Sequence, residues 1–281
     1  MSHLDLVKLT RLMDLSAGEP EIKVGLIDGP VLKSHADLEA KNIQEVLGKQ
    51  GTCANSSSIA CMHGTFVAGI ISGKRGSKAP SISPGCTLIL RPIFSEGGQM
   101  PSATLKELAE AIWECIQAGA RLINMSVALT QPSKGQRELI NALDYATKQG
   151  IIVVAAAGNQ GTMGSSIITR HHWVIPVAAC DLEGRPIDQS NLGSSIGRRG
   201  LRTPGDAVTS LGTQGQPVTM GGTSVAAPFV TGAIALLWSI FPDAAAAEVK
   251  SAVMQSQEAR RTVVPPLLDA WAAYQFMKKS R

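Results

Sequence analysis

Short apolar runs alternate with longer amphipathic segments along almost the whole chain. The apolar runs are rich in Val, Ile and Leu, the composition of strands buried on both faces of a sheet. The longer segments repeat apolar residues at helical spacing, and several are bounded by capping residues. The predicted strands are 22–27, 87–93, 121–127, 151–158, 173–179 and 207–211, and the predicted helices are 102–119, 135–150, 244–255, 267–277 and the segments that begin at His63 and Thr223.

This alternation of strand and helix is typical of an α/β fold, in which a mostly parallel central sheet is covered by helices on both faces. No break in composition, internal repeat or linker divides the 281 residues, so we expect a single domain over residues 1–281. Ligands of such folds bind at the carboxyl ends of the strands. Candidate functional residues are therefore polar side chains that lie at the ends of the predicted elements.

Composition and charge exclude several classes of function. The net charge is +4, and no dense stripe of Lys and Arg is present, which argues against nucleic-acid binding. Residues 226–241 form the longest apolar stretch, but it is short for a membrane span and contains Pro228, so we expect no membrane partner. No secretory signal is visible, and only 27 residues precede Asp28, so we expect a cytoplasmic protein or an excised domain.

The five cysteines are dispersed and odd in number, which favours mostly free thiols in a reducing compartment. Cys53 and Cys61 are close enough in sequence to bridge a loop, and this alternative stays open. No spacing of Cys and His indicates zinc, and Asp181 and Glu183 do not belong to a calcium-loop pattern. His171 and His172 lie in a polar segment and are expected to be exposed. We therefore expect no metal and no cofactor.

Three polar residues at element ends have the chemistry of a nucleophilic triad. Taken singly, Asp28 is a turn residue after a strand, His63 an exposed residue in a first helical turn, and Ser224 an N-cap. Taken together, they supply a hydroxyl nucleophile, a base that works near neutral pH and a carboxylate that orients the base. The order Asp, His, Ser along the chain is one of the known arrangements of such triads.

Several motifs in the same order make the resemblance to a family specific. HGTFVAGI at 63–70 and GTSVAAPFVTG at 222–232 resemble the two strongest motifs of the subtilisin-like serine proteases of the S8 type. VAAAGNQG at 154–161 and INMSVAL at 123–129 are similar to two further segments of that family. The resemblance covers about residues 20–275. It implies a three-layer subtilisin-like fold and a serine endopeptidase that forms an acyl-enzyme.

The resemblance also implies roles for individual residues. Asp28 would orient His63, His63 would act as general base and then general acid, and Ser224 would be the nucleophile. Asn159 and the Ser224 N–H would form the oxyanion hole. The residues expected to bind the peptide substrate are Met125, Ser126, Val127, Ala128, Ala156 and Gly158.

The segment around Ser224 also predicts local structure. Gly221 and Gly222 are expected to let backbone and substrate approach closely. Pro228 is expected to be tolerated because early helical N–H groups have no intrahelical partner.

Two short segments depart from the family pattern. Gly29 and then Pro30 follow Asp28 where Ser or Thr and then Gly are common, so the carboxylate is expected to lose one hydrogen-bond partner. Ala128 and Leu129 replace glycines of the substrate strand, which predicts a tight pocket and cleavage after small or slim residues. Preferred cleavage after Phe or Arg in a peptide panel would contradict this expectation.

The short chain and the sequence DGPV resemble subtilases that mature cyanobactin-type ribosomal peptides, of the PatA-like subgroup. Macrocyclising members carry a helical insertion between Asp and His, and the 35 positions from Asp28 to His63 leave little room for one. We therefore expect hydrolysis of a peptide or precursor-peptide substrate, with the oligomeric state open. The alternative is a catalytically silent subtilase fold that binds a peptide. An esterase is disfavoured because no G-x-S-x-G motif surrounds Ser224.

Overall fold

The computed structural model describes residues 1–48, 50–97, 103–127, 135–254 and 262–281. Seven strands form one parallel sheet: β1 Lys23–Asp28, β2 Ile43–Glu45, β3 Thr87–Pro92, β4 Leu122–Met125, β5 Ile152–Ala156, β6 Ile175–Cys180 and β7 Leu201–Pro204. The strand order is β2-β3-β1-β4-β5-β6-β7, so β1 lies at the interior of the sheet. Strands β8 Val208–Ser210 and β9 Val218–Met220 pair separately as an antiparallel hairpin.

Ten helices accompany the strands in the described residues, and a 3-10 turn spans Ala40–Asn42. The helices are α1 His3–Leu6, α2 Leu9–Met13, α3 Ile59–Ser72, α4 Leu105–Gln117, α5 Gln136–Lys148, α6 Ile167–Arg170, α7 Ser194–Arg199, α8 Thr223–Ile240, α9 Ala246–Met254 and α10 Ala270–Lys279. The α/β class with a parallel sheet and flanking helices is confirmed. The sequence analysis missed the helices α1, α2, α6 and α7 and the strands β2, β7 and β9.

Both faces of the sheet are buried, as the apolar strands require. Leu26 and Val154 pack with α3 and α8 on one face, whereas Ile27 and Val153 pack with α4 and α5 on the other. Successive strand residues point to opposite faces, so a continuous apolar run fills two core layers. The result is three layers, with the sheet in the middle.

Helix α8 is the most deeply buried long element. By length and composition it is the one helix among the described residues that could cross a membrane, but 83% of it is buried within the fold. It begins at Thr223, three residues before the apolar stretch that the sequence analysis judged too short. Burial against β4, β5, β6 and α3 accounts for its apolar composition.

Candidate active site

Asp28 is the last residue of β1, at the carboxyl end of the sheet. Its side chain is fully buried. Oδ1 accepts hydrogen bonds from the Gly29 N–H at 2.6 Å and from His63 Nδ1 at 2.7 Å. A buried carboxylate is costly unless it is hydrogen-bonded, so these two donors hold the group in place.

His63 lies between Asp28 and Ser224. Helix α3 begins at Ile59, where the Ser58 hydroxyl caps it, so the prediction that His63 lies in a first helical turn is wrong by one turn. The His63 ring bridges the other two residues, with Nε2 3.0 Å from Ser224 Oγ. An ionised carboxylate can only accept a hydrogen bond, so His63 Nδ1 carries the proton that it donates to Asp28. Nε2 is then unprotonated and accepts from the serine hydroxyl.

Two opposing effects set the pKa of His63. Burial of the ring lowers the pKa, whereas the charge of Asp28 and its hydrogen bond raise it. The net effect is a pKa above the ordinary value of 6.5. The carboxylate therefore makes His63 a stronger base than a free imidazole. About a quarter of the His63 side chain remains exposed, which leaves access for a substrate.

Ser224 is the second residue of α8 and is half-buried. Gly222 precedes the helix with a φ of 124°, and a Cβ at this position would lie 3.0 Å from Asn159 Nδ2. Glycine therefore allows the close approach that the sequence predicts here, between the start of α8 and the loop that follows β5. The hydroxyl of Ser224 lies at the positive end of the helix, where developing negative charge is stabilised.

Asn159 is held against the start of α8. Its Oδ1 accepts from the Thr223 N–H at 2.8 Å and from the Thr223 hydroxyl at 2.9 Å. Its Nδ2 has no protein acceptor among the described residues and lies next to Gly222, beside the serine. Thr223 also accepts from the Gly158 N–H at 3.0 Å. The sequence analysis assigned Thr223 no such role, although its hydroxyl and position beside Ser224 were visible.

The predicted substrate-binding residues differ in what they expose. Met125 and Val127 are buried in the core layer on the α4 and α5 side, so a peptide beside them would contact their main chain. Ser126 is also buried, and its hydroxyl donates to the Ser224 carbonyl. Ala156 ends β5 and is buried. Ala128 and Leu129 lie outside the described residues.

The departure at Gly29 has a structural cause. Asp28 Oδ2 is buried without a hydrogen-bond partner, in line with the expected loss of one local donor. A Cβ on Gly29 would lie only 1.9 Å from the carbonyl oxygen of Ala60. The first turn of α3 occupies the space that a Ser or Thr side chain would need, so a hydroxyl cannot stand there.

Cys53 and Cys61 form a disulfide, which resolves the alternative that the sequence left open. The bridge ties the segment before α3 to the helix that carries His63. Glu96 binds the same segment, accepting from the N–H groups of Ala54 and Asn55 at 2.9 Å each. The remaining cysteines are free and buried: Cys86, Cys115 and Cys180.

Several polar groups outside this site have other partners. His171 is buried rather than exposed as expected; its Nε2 donates to Asp144 at 3.1 Å, and its ring centroid lies 4.7 Å from that of the exposed His172. Asp181 and Glu183 both pair with Arg185 at 2.9 Å. The structure thus explains these carboxylates as ion-pair partners of an arginine.

The parallel sheet and the hydrogen-bonded arrangement of Asp28, His63 and Ser224 fit the subtilisin-like serine endopeptidase expected from the sequence, and comparison with known proteins supports that class. The subtilase family model matches residues 19–269. The chain belongs to the subtilase family. It is 29% identical to subtilisin DY of Bacillus licheniformis over 88% of each chain, and it spans 54 to 61% of the length of several other curated relatives.

Solved structures similar to this chain include two maturation proteases, PagA for prenylagaramide and PatA for patellamide. The prenylagaramide maturation protease PagA is 26% identical, with a TM-score of 0.82 over 95% of this chain and 98% of that one. A serine-to-alanine mutant of the protease domain of PatA is 30% identical, with a TM-score of 0.80 over 94% and 98%. Within the family, the chain is therefore PatA-like.

Proposed function

We propose that this chain hydrolyses peptide bonds through Asp28, His63 and Ser224, and that residues 1–281 form one peptidase domain. The observation that carries the proposal is the position of the His63 ring. It bonds Asp28 through one nitrogen at 2.7 Å and Ser224 through the other at 3.0 Å. Both distances are within the range that proton transfer requires.

In the first step, Ser224 Oγ attacks the carbonyl carbon of the scissile bond while His63 Nε2 takes the hydroxyl proton. The negative charge moves to the carbonyl oxygen. Collapse of this intermediate breaks the C–N bond, and His63 returns the proton to the leaving amine. Water then attacks the acyl-enzyme, His63 takes and returns a proton in the same way, and Ser224 is released with its hydroxyl restored. Asp28 stabilises the imidazolium that forms in each half of the reaction.

Asn159 stabilises the oxyanion through Nδ2, together with the N–H of Ser224. Because Oδ1 is held by the backbone and hydroxyl of Thr223, the amide orientation is set before substrate binds. Such a fixed donor needs no reorganisation as charge develops, which is why it lowers the barrier.

The substrate we propose is a ribosomal precursor peptide, from which the enzyme removes a leader or recognition segment. Support comes from the similarity to PagA and PatA, which are described as maturation proteases of prenylagaramide and patellamide. A peptide would lie as a strand beside residues 125–129, through the main chain of Met125, Ser126 and Val127 and near Ala156 and Gly158. Ala128 and Leu129 would favour a small residue before the cleaved bond.

Hydrolysis, rather than macrocyclisation, is the reaction that we propose. Between Asp28 and His63, the described residues form the turn Ala40–Asn42, the strand β2 and the start of α3. This stretch holds no inserted helix ahead of α3 in the described residues. Without such an insertion beside the site, we propose that water is the final acceptor of the acyl group.

The proposal is tested by incubating the protein with a mixture of unstructured peptides and reading the products by mass spectrometry. Wild type should give paired linear fragments that together have gained one water, with small residues before the cut. Ser224→Ala and His63→Ala should give none. Cyclic products would contradict hydrolysis, and intact peptides with a folded wild type would favour a peptide-binding module.

A further inference from the structure

Pro228 interrupts the hydrogen bonding of α8 at the nucleophile. In a regular helix, the N–H of residue 228 would donate to the carbonyl of Ser224, four residues earlier. Proline has no N–H. The expectation that Pro228 falls among the unpartnered first N–H groups is wrong, because Ala226 already donates to the Gly222 carbonyl at 3.2 Å. The proline therefore removes the helical donor of the Ser224 carbonyl.

The hydroxyl of Ser126 supplies that missing bond. Ser126 Oγ donates to the Ser224 carbonyl at 2.9 Å, from the segment that follows β4. Asn124 Nδ2 donates to Ser126 Oγ at 2.8 Å, and Thr231 Oγ1 donates to Asn124 Oδ1 at 2.8 Å. Ser126, Asn124 and Thr231 are all buried. A chain of side-chain hydrogen bonds thus links the sheet to α8 at both the nucleophile and the next turns of the helix.

We propose that Ser126 is a positioning residue that fixes the main chain of Ser224 in place of the helical bond lost at Pro228. This inference rests on the proposed function, since it concerns the same nucleophile. With its carbonyl held by Ser126, residue 224 keeps its Oγ at His63 and its N–H toward the oxyanion. Without that bond a buried carbonyl is left unpaired, and the residue turns to find another donor.

The helix provides a matched control for this bond. Thr203 Oγ1 donates to the Ala226 carbonyl at 2.7 Å, and Thr203 is fully buried. It is the same kind of bond to the same helix, two residues beyond Ser224. Val230, four residues after Ala226, keeps its N–H. Thr203→Val should therefore lower stability without a specific effect on the chemical step.

A double-mutant cycle tests the proposal. Ser126→Ala alone should lower kcat by about 10- to 100-fold with KM changed by less than about twofold, since a small misplacement of a reacting group is costly. Pro228→Ala restores an N–H that can donate to the Ser224 carbonyl. In the Pro228→Ala background, Ser126→Ala should therefore cost less than about threefold, and this non-additivity is the signature of a shared carbonyl. Asn124 Nδ2 loses its acceptor, Ser126 Oγ, in both backgrounds, so this defect cancels when the two effects of Ser126→Ala are compared.

Further measurements distinguish a loss of positioning from a loss of stability. Thermal unfolding confirms that each variant is folded. If the alanine variant is unstable, Ser126→Cys provides a second test, because it keeps the size and a weak donor. Its kcat should lie between those of wild type and Ser126→Ala. Equal losses in both backgrounds, a change in KM alone, or an equal loss in Thr203→Val would overturn the positioning role. Activity that survives in Ser224→Ala would instead overturn the proposed function.

Discussion

A serine at position 29 should damage the site, although Ser or Thr is the common residue after the aspartate in this family. A Cβ on Gly29 would lie 1.9 Å from the Ala60 carbonyl oxygen, whereas Cβ atoms in folded proteins essentially never approach another heavy atom closer than 3.0 Å. The strand end and the first turn of α3 would have to separate by about 1 Å, and repacking of this kind costs about 1–3 kcal/mol.

The same displacement acts on the reacting groups. Ala60 lies three residues before His63 in α3, so a shift of this turn lengthens the 2.7 Å bond between His63 and Asp28. We expect Gly29→Ser to lower the melting temperature by about 2–6 °C. We also expect kcat/KM to fall by about 100-fold, since a shift of 1 Å at a reacting group has that scale of effect.

Thermal unfolding and peptide hydrolysis measure the two effects on the same preparation. Gly164→Ala is the matched control, because a Cβ there meets nothing within 4 Å and its φ is not positive. That variant should keep wild-type stability and activity. A Gly29→Ser protein as stable and as active as wild type would refute the reasoning, because it would mean that the new hydroxyl reaches Asp28 Oδ2 without displacing α3.

Further predictions concern the oxyanion, the base and the disulfide. Asn159→Ala should lower kcat by about 100- to 1,000-fold at nearly constant KM, the range that loss of one oxyanion donor causes in subtilisin itself, and a change in KM alone would contradict the assignment. Protonation of His63 disables the base, and the pKa of His63 is raised above 6.5. We therefore expect kcat/KM to fall as the pH decreases, with a midpoint above 6.5. A midpoint below 6.5 would contradict the influence of Asp28. Replacing Cys53 and Cys61 by Ser should lower stability by about 2–3 kcal/mol, from the entropy of the short loop that they close, and an unchanged melting temperature would show that the thiols are not paired.

The sequence was sufficient for the elements and residues whose signal is local. Apolar runs located β1, β3, β5 and β6, and the residues Asp28, His63 and Ser224 came from their types, order and motifs. The structure brings these three side chains together as expected. Element ends were less accurate: Ser58 caps α3 well before the apolar stretch that begins after His63, and Thr104, rather than Ser102, caps α4.

The remaining features depend on contacts between residues that are far apart in the chain. The need for glycine at position 29 arises from the Ala60 carbonyl, which only the packing of α3 on β1 reveals. The hydrogen bond of the buried His171 reaches Asp144 on a separate helix, α5. The bond from Ser126 to the Ser224 carbonyl joins residues 98 positions apart, although Pro228 already marked that carbonyl as lacking a helical donor.

The most direct test of the central claim is labelling with a fluorophosphonate probe, read by intact mass and peptide mapping. Wild type should gain a single adduct on Ser224, and neither Ser224→Ala nor His63→Ala should gain one. This result would show that His63 activates the hydroxyl that it contacts. A folded wild type that gains no adduct, or one labelled at a different residue, would contradict the triad.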